Sequence, residues 1–144
     1  MSSPMSWQVL AVISAVAAGA TSVFAKAGLA DVPSNLGNAV RTAMVLVLSL
    51  AILWWSGEHK TATLSGRAWL FLALSGLATC ISWLAYFKAL SLGDATPVTA
   101  IDKTSLAVTL LLAVLFLGEP MSWRSGLGVA LIVAGSIVAS TAPQ

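Results

Sequence analysis

The sequence predicts an all-α, polytopic membrane protein with five transmembrane helices, and three observations predict it. Hydrophobic residues make up 58% of the 144 residues and charged residues 8%, where a soluble domain carries about 25% charge. The apolar residues gather into five runs, each near the ~20 residues a helix needs to cross ~30 Å of hydrocarbon. Short stretches between the runs hold four of the five acidic side chains, with Pro33 and Pro120. Such a chain has no room for a soluble catalytic domain. Its single Cys80 and single His59 offer neither a disulfide framework nor a cluster of metal ligands. With no nucleophile–base pair either, no catalytic residue, metal or cofactor is expected, and the chain is not expected to be an enzyme.

The first span covers residues 7–30. Ala11, Ala15 and Gly19 recur every four residues, the spacing that lets helix backbones approach closely in lipid. A second row, Ser14, Ala18, Ser22 and Lys26, is small or polar and ends in a charge. The run lacks the basic start of a secretory signal, so it is expected to belong to the mature chain. The turn that follows offers Ser34 and Asn35 as N-caps for the second span, residues 36–56. That span places Arg41 roughly 8 Å from its midpoint. An arginine near a helix centre costs about 3 kcal/mol on translocon scales, so its depth points to a partner inside the bundle.

The polar stretch from Gly57 to Arg67 is expected to be a solvated loop. In the third span, residues 68–90, Ser75, Thr79, Ser82 and Tyr86 form one polar stripe at helical spacing, which should face protein or water. The fourth span, residues 97–118, is expected to be one continuous helix with Thr96 as N-cap, Pro97 in its first turn, and Gly118 and Pro120 as its stop. Its adjacent charges, Asp102 and Lys103, sit within the first two turns, and Ser105 and Thr109 continue the polar face inward. In the fifth span, residues 122–140, Gly126, Ala130 and Ala134 make a small-residue row that suits association of helices, within the chain or between two chains.

Lys26, Arg41, Asp102 and Lys103 come from three different spans, yet all fall roughly 6–11 Å from their helix midpoints on the same side. They are expected to form one layer in which Asp102 pairs with Arg41 or Lys26, because adjacent helical residues do not face each other. Five of the six tryptophans mark the interface on the N-terminal side. The loops favour a cytoplasmic N-terminus, but the weak total charge bias leaves insertion in both orientations open.

The strings DATPVTAIDKTS, LFLGEP and GLGVALIVAG in the last two spans resemble the EamA repeat of the drug/metabolite transporter superfamily. FAKAGL, VRTAM and LSGLATCISWLAYFKAL extend the resemblance over nearly the whole chain, as a single EamA-like transmembrane domain over residues 1–144. It looks most like the small five-span members. Larger members carry two repeats in inverted orientation with the pathway between them, so the resemblance implies assembly of two chains.

The residues and the resemblance together lead us to expect a secondary transporter or exporter of a small solute, working as an antiparallel homodimer by alternating access. Arg41, Lys26, Asp102, Lys103, Tyr86 and Ser105 are the candidate substrate-binding residues. The alternative is a lipid flippase subunit, or a structural partner subunit of a membrane complex. The expected partners are membrane lipids, a second copy of the chain and a small-molecule substrate, with no nucleic acid. The expected location is a bacterial inner (plasma) membrane.

Overall fold

The computed structural model describes residues 6–60 and 63–141. Among them the chain folds into α1 (Trp7–Gly28), α2 (Ser34–Ser56), α3 (Gly66–Leu92), α4 (Ala95–Asp102), α5 (Ser105–Leu112) and α6 (Trp123–Ser140). Short turns lie at Glu58–Lys60 and, in π-helical form, at Ala113–Leu117. Taken with its interruptions, the stretch Ala95–Leu117 is one of five helical segments long and apolar enough to cross a membrane. Thr61 and Ala62, in the polar stretch expected to be a solvated loop, lie outside the described residues.

Apolar side chains point outward. Among the described residues only Leu29, Phe87 and Leu90 are buried hydrophobics, and the buried polar residues are Ser22, Asn38 and Ser136. Leu48 and Leu131, each from the middle of a span, remain 63% and 64% exposed. A helix surface of that kind would drive aggregation in water, whereas hydrocarbon solvates it. The chain is an integral, multi-pass membrane protein.

Helix ends follow local chemistry. Gly57, at φ +73°, ends α2 in the left-handed conformation and donates its N–H to the Trp54 carbonyl, a close that an L side chain would strain. His59 then folds back so that its ring stacks on Trp54, 4.8 Å between centroids. Ser122 caps α6 by accepting from the Ser125 amide, which satisfies one of the orphan donors of the first turn.

The fourth span departs from expectation in two ways. Its helix begins at Ala95 with Asp94 as N-cap, two residues earlier than the Thr96–Pro97 signal suggested. Pro97 is tolerated in the first turn because its missing N–H would have no intrahelical partner there. The span is also not one continuous helix. At Lys103–Thr104 the ladder tightens: the Thr104, Leu106 and Ala107 amides donate to the Ile101, Lys103 and Thr104 carbonyls at 3.0–3.2 Å, each three residues back. At Ala113–Leu117 it loosens into a π turn.

The chain divides into two compact units, one made of α1 through Lys26 with everything from Leu92, the other of residues 27–91. In the first, α6 packs along α4 and α5. Its covered face runs through Gly126, Val129, Val133, Ser136 and Ser140. Gly126 is half-buried, while Ala130 and Ala134 in the small-residue row are exposed. In the second unit, the missing side chain of Gly37 makes room for buried Leu29 and Phe87. A Cβ on Gly37 would lie 2.6 Å from Leu29 Cδ2 and 3.7 Å from Phe87 Cδ1. Gly37→Leu is therefore expected to destabilise the protein by about 1–3 kcal/mol through overpacking. Thermal melting in detergent checks this, with Leu29→Ala in the same chain restoring part of the loss.

Candidate functional site

The six candidate residues fall on both units, and each is held locally. Arg41 projects from α2, four residues, or about 6 Å, from the middle of the helix. Its guanidinium carbon lies 3.4 Å from the centroid of the Trp83 ring on α3. That separation is the contact thickness of two planar π systems, so the guanidinium must lie flat on the indole. Phe87 stands 5.9 Å away from the same carbon. Trp83 meets Tyr86 edge-on at 5.5 Å and Phe87 at 5.8 Å. Trp83, Tyr86 and Phe87 are spaced i, i+3, i+4 and so occupy one face of α3. Stacking partly offsets the cost of placing the cation at this depth. It also leaves the N–H edge of the guanidinium in the ring plane, the geometry in which arginine grips carboxylate or phosphate bidentately.

Lys26 has a different role from Arg41. Its Nζ donates to the Gly93 carbonyl at 2.8 Å, just past the C-terminus of α3, where carbonyl oxygens are left without intrahelical donors. The lysine so ties the end of α1 to the turn that launches α4.

Asp102 and Lys103 close α4, and here the expectation that adjacent residues do not pair is corrected. The carboxylate pairs with Lys103, Nζ to Oδ2 at 3.3 Å. The physical reason is reach: the four-carbon stem of lysine can curl around the helix to its neighbour, although the two Cβ vectors diverge. Both side chains are open, at 55% exposure for Lys103 and 38% for Asp102. Lys103 also lines a shallow groove of about 320 Å³ between α1 and α4, walled by Gly19, Ser22 and Val23 on one side and Thr96, Thr99 and Ala100 on the other. Ser105 is exposed one turn on, where its carbonyl accepts from the Thr109 hydroxyl at 3.0 Å. The polar stripe of α3 is likewise uncovered: Ser75, Thr79 and Ser82 are exposed, and the Thr79 hydroxyl donates to the Ser75 carbonyl at 2.8 Å.

Sequence reasoning missed Trp83 as the seat of Arg41, and the two threonines of the groove. The signal was present in WLAYF, whose three aromatics share a helical face.

A sequence model of the EamA-like transporter family matches residues 5–141. The chain belongs to the EamA-like transporter family. Within it, the chain is 48% identical over 134 residues to an uncharacterized transporter in the cobO 3' region of a Sinorhizobium species, covering 92% of this chain and 95% of that one. It is 32% identical over 144 residues to the uncharacterized transporter YwfM of Bacillus subtilis (strain 168), covering 94% of this chain and 47% of that one. No solved structure matches. Both the family and these relatives bear transporter names, which agrees with an EamA-like chain whose polar groups lie within its spans.

The Lys26 contact should be measurable as stability. Hydrogen bonds to charged groups contribute about 1.5–3 kcal/mol, so Lys26→Met is expected to lower the melting temperature in detergent. Lys26→Arg, which keeps a donor and the charge, should recover most of the difference.

Proposed function

We propose that the chain is a secondary transporter or exporter of a small anionic or zwitterionic solute in the plasma membrane of a bacterium, and that Arg41 receives the solute's anionic group. The observation that carries this reading is the flat seat of Arg41 on Trp83. It holds a fork of donors rigidly at a depth where an unsatisfied cation is expensive. Tyr86, against Trp83, steadies the seat. In the other unit, Lys103, Asp102 and Ser105 are candidate substrate-binding residues in their own right, with Asp102 as a candidate proton site.

The working unit in this proposal is an antiparallel homodimer that alternates access. The Sinorhizobium relative shares 95% of its length with this chain, whereas the Bacillus relative is matched over 47% of its length. Two copies of the present chain would therefore correspond to one of the longer. The small-residue row of α6 suits the contact between copies, because Ala130 and Ala134 are exposed on it and close helix approach needs such a surface.

Two outcomes test the proposal. Arg41→Lys should insert and melt as wild type does, yet bind the solute at least tenfold more weakly, because charge is kept while the fork is lost. Uptake into proteoliposomes over anionic, zwitterionic and cationic solutes measures it. Transport of cations alone, with the variant indistinguishable from wild type, would reject the anion site. For the assembly, single cysteines at Glu58 and Thr141 in a Cys80→Ala background should label from both membrane faces in comparable amounts. Strictly one-sided labelling would exclude an antiparallel pair.

A further inference from the structure

The groove between α1 and α4 belongs to the unit that does not hold Arg41. Its walls follow from helical spacing. Thr96, Thr99, Ala100 and Lys103 stand at i, i+3, i+4 and i+7 and so share one face of the fourth span, while Gly19 and Ser22 face them from α1 at i and i+3. Small side chains keep the gap open: a Cβ added at Gly19 would meet nothing within 4 Å. The space of about 320 Å³ is that of roughly ten water molecules in the liquid, room for a solute of about ten heavy atoms.

The groove is polarised along its length. Thr96 stands at its outer end, next to the start of the span at Ala95, and Lys103 lies about 10 Å further in along the helix. Among the described residues Lys103 supplies the only charge in the lining, Ser22, Thr96 and Thr99 supply hydroxyls, and the rest is apolar. An ammonium carries three donors. Its contact with Asp102 Oδ2 at 3.3 Å is longer than the roughly 2.7–2.9 Å of a close charge-assisted bond, so Lys103 retains donors for a second acceptor.

We infer that this groove binds a small amphipathic carboxylate, its carboxylate on the Lys103 ammonium at the inner end and its apolar body between Gly19 and Ala100. The inference goes beyond the Arg41 reading and does not depend on it. The polarity of the groove selects this occupant. A phospholipid would place its phosphate at headgroup level, beyond the outer end, and bring only the methyl end of a chain to the ammonium. A helix of a second copy is about 10–12 Å across with its side chains, too wide for a space of about 320 Å³. A solute that enters carboxylate first pairs with the ammonium and covers the apolar walls together, the combination of apolar lining and few converging polar groups that marks small-molecule sites.

The test compares radiolabelled acetate with hexanoate, bound to the purified full-length protein in nanodiscs with empty nanodiscs subtracted. Acetate reaches the ammonium and leaves the walls bare, whereas hexanoate buries its additional methylenes, so wild type should bind hexanoate at least tenfold more tightly. Lys103→Met should lose hexanoate binding. Gly19→Leu puts a side chain into space where its Cβ meets nothing, so it should melt no lower than wild type, yet bring the hexanoate-to-acetate ratio to near one. Arg41→Lys should leave that ratio unchanged. Equal binding of the two acids by wild type, or an unchanged ratio in Gly19→Leu, would overturn the inference. Loss of hexanoate binding in Arg41→Lys with Gly19→Leu unaffected would overturn it as well and assign the carboxylate to Arg41. Absence of saturable hexanoate binding by wild type would also overturn it, leaving the groove to a lipid chain or to side chains of a second copy, while the Arg41 reading would still be decided by its own uptake assay.

Discussion

Cations within the membrane-spanning helices are the constraint that the rest of this structure accommodates, and the chain meets it in three chemically distinct ways. Arg41 lies on an aromatic face at 3.4 Å, Lys26 donates to a helix-terminal carbonyl, and Lys103 pairs with a carboxylate. The three differ in what they leave over. An ammonium on a backbone carbonyl ties two segments together, and one on a neighbouring carboxylate neutralises its charge. A guanidinium stacked flat keeps both its charge and its in-plane donors, which makes Arg41 chemically the most available of the three despite its depth.

Much of the fold was legible in the sequence because in lipid every backbone group must be satisfied within its own segment, so an apolar run of sufficient length has almost no choice but helix. That rule says nothing about local deviations from α geometry. The tightening at Lys103–Thr104 and the π turn at Ala113–Leu117 keep the hydropathy run intact, so composition could not reveal them. The cap at Asp94 was obscured for a different reason. Thr96 and Pro97 form a good start signal, yet a proline is acceptable anywhere in the first turn, and the helix extends back to the first residue able to cap it.

The candidate site was legible in its residue types and less so in its pairings. Sequence depth put Lys26, Arg41, Asp102 and Lys103 at similar heights, but height does not fix azimuth or side-chain reach. The supposition that adjacent residues on a helix cannot meet holds for short side chains; the lysine stem defeats it at Asp102–Lys103. Trp83 is the one tryptophan that falls outside the set marking the N-terminal interface. The face it shares with Tyr86 and Phe87 fits better with a wall facing another helix, and Arg41 confirms that orientation by lying on it.

The distribution of small and polar residues carries the argument from fold to function. A water-soluble bundle buries its apolar groups; here the buried polar residues among those described are Ser22, Asn38 and Ser136, and the helices turn their leucines to the solvent that suits them. Close packing in lipid depends on small side chains and on hydrogen bonds between segments, since lipid chains compete equally for apolar contact. Ser22 takes part in such packing, its hydroxyl bonded back to the Ala18 carbonyl at 3.2 Å, and so needs no further partner to be tolerated. The Asn38 carbonyl oxygen has no such local outlet. A buried serine can bond back within its own helix, whereas the enclosed, unbonded Asn38 oxygen is a cost that the packing around it must offset.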